Sequence, residues 1–179
     1  MRLTNPIFYY IIKPMKQLRI DNDEIIPAVK TCVFTGHRIL SEDFSLKATE
    51  KAVETVIKKG VDTFYNGMAM GFDLSSAEIV LKLKKKYPQI RLIACIPFYG
   101  QEKNFPEKDK KRYCQILKKA DEQILLSDTY YRGCLHKRDL YMAERGDCMI
   151  AYCKKSTGGA AYTVRCFQKV CPNGEILYL

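Results

Sequence analysis

A doubly wound α/β fold, with about six mainly parallel strands and helices on both faces, is what this sequence predicts, and three observations predict it. From Thr31 onward, short β-rich runs alternate with helical stretches. The runs are apolar throughout rather than alternating in polarity, with IRLIACI at 90–96 the clearest, which marks strands buried on both faces. The helical stretches span 12 to 16 residues, enough to cross from one parallel strand to the next. Such crossovers are right-handed, which leaves a doubly wound sheet.

The elements follow in order. Residues 1–30 have no clear period; the run Asp21-Asn22-Asp23-Glu24 and Pro27 read as a connecting loop, so this part is expected to be an N-terminal arm and 31–179 the domain. Thr31 to Thr35 is the first strand. Residues 44–59 form a helix with Ala48, Ala52, Val53, Val56 and Ile57 on one face and Glu50, Glu54 and Lys58 on the other, stopped by Gly60. A second strand spans 61–65, and a helix spans 72–87, ended by Pro88. The third strand, 90–96, stops at Pro97. A helix at 105–120, a strand at 123–126, a helix at 133–145, a strand at 147–152, a helix at 159–170 and a strand at 175–179 complete the chain.

Composition narrows the function classes. The chain has 179 residues, 47% hydrophobic and 28% charged, which is ordinary for one globular domain. No apolar run approaches the ~18 residues of a membrane span, and Pro6, Lys13 and Pro14 break up IFYYII, against a secretory signal. Eight cysteines contain no C-x-x-C and fit no standard zinc site; reduced thiols in a cytoplasmic protein are expected, with no metal. The net charge of +10 is carried by short lysine clusters on helix faces with acidic residues between them, which argues for solubility over nucleic-acid binding.

Three strand ends carry the chemistry. The first strand runs into Gly36-His37-Arg38. Glycine permits a sharp turn and a close ligand approach, arginine is a planar fork for phosphate or carboxylate, and histidine donates or accepts near neutral pH. The bland reading is a turn glycine with two exposed side chains. After the second strand, NGMAMGFD places Gly67 and Gly71 before a helix, a setting for anions at a helix N-terminus. Asp73 there is either the helix cap or a partner for a ribose or base. After the fifth strand, STGGAAYT repeats the pattern with Gly158 and Gly159. Neither loop is a Walker A motif or a G-x-G-x-x-G.

Taken in order, TGHR, GMA-x-GFD-x-x-x-AE, IPF with a following Gln101, RY-x-x-IL-x-x-AD and the final Gly-Gly resemble the YpsA-like branch of the SLOG superfamily, named for the SMF/DprA and LOG proteins. The resemblance covers about 31–179. It implies a single three-layer Rossmann-like domain and a site for a nucleotide or nucleotide-derived ligand, formed by Gly36, His37, Arg38, Gly67, Gly71, Asp73, Gln101, Arg138, Gly158 and Gly159, with Tyr130 also matching. The chain departs from the pattern in Asp139 where an asparagine is usual, in Ala160 where a threonine is usual, and in having no tryptophan, with Phe105 at that place. No carboxylate follows Gly159, unlike the LOG hydrolases, and Glu78 is badly placed to substitute.

The favoured function is therefore a binding protein or sensor for a nucleotide-like small molecule, with no catalytic residue and no further cofactor. The alternative is a nucleoside or nucleotide hydrolase cleaving an N-glycosidic or phosphate bond, with His37 as acid or base and Asp73 or Asp139 as carboxylate. Single-stranded DNA binding of the DprA kind ranks third, because the twelve tyrosines form no stacking row. Oligomeric state is left open.

Overall fold

The structure, a computed structural model, describes residues 30–179. All of the expected arm except Lys30, which opens the first strand, lies outside them.

Six strands alternate with five α-helices: β1 (Lys30–Gly36), α1 (Leu46–Lys58), β2 (Val61–Asn66), α2 (Phe72–Leu83), β3 (Arg91–Ile96), α3 (Glu107–Leu117), β4 (Glu122–Leu125), α4 (Cys134–Ala143), β5 (Cys148–Tyr152), α5 (Gly159–Val170) and β6 (Glu175–Tyr178). The strand order is β4-β3-β2-β1-β5-β6, and every pairing is parallel. The chain thus builds outward from β1 to β4, then α4 carries it back to β5 on the other side of β1. The order reverses between β1 and β5, which is where ligand crevices open in sheets of this kind.

The two faces separate with the period of two that strands impose. Cys32, Phe34, Leu92, Ala94 and Ile150 point to the α1–α2–α3 side, where Val53, Val56, Leu74, Val80 and Ile116 cover them. Val33, Ile93, Cys95, Met149 and Ala151 point to the other side, under Met142, Ala143, Val164 and Phe167 of α4 and α5.

Local chemistry shifts three helix limits from those expected. Ser45 caps α1, its hydroxyl accepting from the Ala48 N–H at 3.2 Å. Phe44 stands before the cap and packs its ring at 5.1 Å from Tyr152. Helix α2 ends at Leu83 rather than Tyr87, because Lys85 and Lys86 donate to the carbonyls of Lys82 and Leu83, three residues back, and tighten the turn ahead of Pro88. The helix expected from 105 to 120 is the shorter α3, Glu107–Leu117: Pro106, which lacks an N–H, stands at its N-cap, and the chain before it forms a separate 3-10 turn, Gln101–Asn104.

Candidate functional site

Gly36 ends β1 beside the first residue of α2. A Cβ at Gly36 would lie 2.5 Å from Phe72, so the residue serves helix-to-strand approach as well as lining the cleft described below. The following backbone is pinned from two directions: the His37 N–H donates to the Tyr152 carbonyl (3.2 Å) and the His37 carbonyl accepts from the Phe72 N–H (3.1 Å). The His37 Nε2 accepts from the Lys154 N–H at 2.8 Å, which fixes Nε2 as the unprotonated nitrogen. Partial burial and the charges of Lys155 and Lys154 push the His37 pKa below its usual value. His37 therefore ties the loop after β1 to the loop after β5. Asp43 and Lys154 pair across the same gap. Arg38 is exposed, and its side chain makes no hydrogen bond or ion pair among the described residues.

The loop after β2 is filled by the protein itself. A Cβ on Gly67 would meet the Arg138 Nη1 at 2.3 Å and the Asp73 Oδ2 at 2.8 Å. One on Gly71 would meet the Arg38 carbonyl oxygen at 2.3 Å, and φ there is +76°, so glycine is required twice over. Gly71, not Asp73, is the N-cap of α2. Asp73 lies two residues further in, and its carboxylate reaches back to accept from the Ala69 N–H at 3.2 Å. Asn66 completes the loop, donating to the Asp73 carbonyl (2.9 Å) and accepting from the Met68 N–H (2.8 Å).

Beneath the loop is a buried charged group. Arg138, 5% exposed, donates to Asp139 at 2.7 Å and to the Gly67 carbonyl. Gln101 reaches the same place from the 3-10 turn, its Nε2 donating to the carbonyls of Gly67 (3.3 Å) and Met68 (3.1 Å). Burial raises the Asp73 pKa to about 6, against the opposing pull of the Arg138 charge. Arg138 is already committed to Asp139 at hydrogen-bond distance, which leaves desolvation the larger influence on Asp73.

The loop after β5 is built differently. Gly158 caps α5 with φ +89°, and neither Gly158 nor Gly159 would bring a Cβ within 4 Å of any neighbour among the described residues. The α5 N-terminus, with its unpaired N–H groups, opens onto a cleft of about 410 Å³ lined by Gly36, His37, Arg38, Asp73, Arg138, Asp139, Gly159 and Thr163, together with His136 of α4. This is the switch point between β1 and β5. A second cleft of about 820 Å³ shares Arg38, Ala69 and Leu135 with the first and extends over the loops after β3 and β4, where Phe98, Tyr99, Gln101, Phe105 and Tyr130 line it. Among the described residues, no group of three or more His, Cys, Asp or Glu side chains is placed to hold a metal ion, and no helix is long and apolar enough to cross a membrane. All eight cysteines are free thiols.

The sequence profile of the YspA SLOG family matches residues 41–174, beginning just past the Gly36-His37-Arg38 turn. The chain belongs to this family. Among curated relatives, the chain is 30% identical over 126 residues to the UPF0398 protein BH1768 of Halalkalibacterium halodurans, covering 69% of this chain and 67% of that protein. It is 25% identical over 154 residues to the UPF0398 protein YpsA of Bacillus subtilis, covering 79% and 86%. Two solved structures share the fold: DNA processing protein A from Helicobacter pylori, with a TM-score of 0.58 at 16% identity over 83% of this chain, and its counterpart from Streptococcus pneumoniae, with 0.61 at 17% over 84%. This SLOG chain spans 64% and 50% of those two chains.

Of the residues singled out in the sequence, Gly36, His37, Arg38, Asp73, Arg138 and Gly159 line the switch-point cleft of this SLOG domain, and Gln101 and Tyr130 line the second. Gly67 and Gly71 sit behind the cleft, in contact with Arg138 and Arg38. Gly158 supplies the left-handed cap of α5. Sequence reading missed Leu135, His136, Phe98 and Tyr99 as lining residues. The signal for α4 was present: Leu135, Arg138, Asp139 and Met142 recur at helical spacing, so two charged residues share a face with apolar ones.

Proposed function

We propose that this SLOG chain binds a nucleotide or nucleotide-derived ligand, with the anionic part in the switch-point cleft between β1 and β5. The observation that carries this reading is the open end of α5. Among the described residues, Gly159 has no neighbour that a side chain would strike, and its φ is not left-handed, so packing there does not call for glycine. An anion approaching the helix N–H groups does. Arg38 stands on the rim of the same cleft with its guanidinium uncommitted to any hydrogen bond or ion pair among the described residues, a geometry suited to bidentate phosphate recognition. Isothermal titration calorimetry with a panel of nucleoside mono- and diphosphates tests it. Arg38→Ala is expected to weaken binding tenfold or more, corresponding to the roughly 1.5–3 kcal/mol of a charge-assisted bond, with the melting temperature unchanged. Equal affinity in the variant removes Arg38 from the site.

One observation favours a hydrolase as the second reading. A carboxyl titrating near pH 6 on the wall of a cleft is suited to proton transfer. His37 does not share that role through Nε2, which is occupied by the Lys154 N–H. Release of base or phosphate from a bound nucleotide, abolished in Asp73→Asn with binding retained, would establish turnover. A nucleotide recovered intact after prolonged incubation would rule it out.

A further inference from the structure

The second cleft has features that an anion site does not need. Its wall is aromatic: Phe98 and Tyr130 meet edge to face with ring centroids 5.2 Å apart, and Tyr99 is 72% exposed beside them. The wall is held in place before any ligand arrives, because the Tyr99 N–H donates to the Ser127 carbonyl at 3.1 Å and joins the loops after β3 and β4. Gln101 lines the same cleft and is 8% exposed. Its Nε2 is used on two carbonyls, but its Oε1 is the buried side-chain polar atom left without a hydrogen-bond partner among the described residues. Such an acceptor calls for an N–H donor. Exposed aromatic rings calling for a flat partner, an orphaned acceptor calling for an N–H, and continuity through Arg38 with a cleft suited to phosphate converge on one chemistry.

We propose that the second cleft is the base subsite of the nucleotide. The base stacks against the Phe98–Tyr130 wall, presents an N–H edge towards Gln101, and sends its phosphate across Arg38 into the switch-point cleft. This rests on the nucleotide-binding reading above and adds the polarity of binding and the residues that read the base. Arg38 stands at the boundary, shared by both clefts, and serves the phosphate. Tyr130 serves only the ring.

Calorimetry on the full chain separates the two statements. The probes are AMP, GMP, CMP and UMP beside inorganic pyrophosphate, and the variants are Tyr130→Ala, Tyr130→Phe and Arg38→Ala. Tyr130 is 65% exposed, so its truncation leaves the fold intact. At least one nucleotide is expected to bind more tightly than pyrophosphate. Tyr130→Ala lowers that nucleotide's affinity about tenfold, as loss of one stacking ring does, and leaves pyrophosphate unchanged, while Tyr130→Phe retains wild-type affinity. Arg38→Ala weakens both kinds of probe. If Tyr130→Ala binds the nucleotide as the wild type does, or if no nucleotide exceeds pyrophosphate, the base lies elsewhere and this inference falls while the phosphate site stands. If neither nucleotide nor pyrophosphate binds, the nucleotide-binding reading fails and this one with it.

Discussion

The loops at Gly67–Gly71 and Gly158–Gly159 occupy equivalent places, each joining the end of a parallel strand to a helix. In the sequence they look alike. In the folded protein the first is packed solid, its glycines pressed against Arg138, Asp73 and the Arg38 backbone, while the second has none of the described residues within 4 Å of where its side chains would stand. A glycine-rich strand-to-helix junction can therefore be a space made for the protein's own groups or a space left for something else. What decides is whether a charged side chain from another element arrives to fill it. Arg138 fills the first from α4. Among the described residues, none stands within 4 Å of where side chains at Gly158 and Gly159 would be.

Four substitutions sharpen that contrast. The largest effect is expected from Arg138→Met, which removes the group that fills the first loop and leaves Asp139 and Asp73 without their buried cation; urea unfolding should show a loss of about 3–5 kcal/mol. A loss below about 1 kcal/mol would mean the loop does not depend on that filling. Gly71→Ala comes next. Its Cβ meets backbone rather than a movable side chain, and strain in the left-handed region adds to overpacking, for about 2–5 kcal/mol in the same measurement.

The third concerns protons. With a folded pKa of about 6 against an unfolded value near 3.8, Asp73 holds its proton in the folded state where the unfolded chain has lost it. Stability contributed by this group is present below about pH 4, declines as pH rises through the window to about 6, and stays lower above it, by on the order of 3 kcal/mol. Asp73→Asn removes the titration. The stability difference between variant and wild type should shift in the variant's favour between pH 4 and pH 7, and a difference independent of pH would show that Asp73 is ionised throughout. The smallest stability effect belongs to the open loop. Gly159→Ala should change unfolding free energy by less than about 1 kcal/mol, in the stabilising direction expected for alanine in a helix, while nucleotide affinity falls. A large destabilisation there would erase the contrast between the loops.

The strand and helix pattern was legible because burial on both faces leaves an unmistakable apolar run, as in Leu92–Ile96, and because crossover helices of this length admit few topologies. The limits of α2 and α3 were less legible. The turn at the end of α2 tightens two to three residues ahead of Pro88, and Pro106 caps α3 itself, limits that residue type alone does not mark. The site was legible as a set of strand ends. Its division of labour was not, because Arg138 is remote in sequence from Gly67, and only the packing of α4 brings it to that carbonyl. Asp73 shows the same limit: its position suggested a cap or a ligand contact, and the folded chain gives it a third use, closing its own loop through Ala69.

The strand order has a consequence for how the molecule is made. Strand β1 pairs on one side with β2, its near neighbour in sequence, and on the other with β5, and Asp147, just before β5, accepts from the Thr31 N–H across 116 residues of chain. During synthesis at the ribosome, β1 to β4 can pair as soon as they emerge, leaving Cys32–Gly36 as a bare apolar edge until β5 is translated. Such an edge invites pairing with other chains, and closing so distant a contact is slow. The switch-point cleft lies at that same seam, so it comes into being only when β5 and the start of α5 have been added. A chain stalled before that point would carry four paired strands, an adhesive edge and no switch-point cleft.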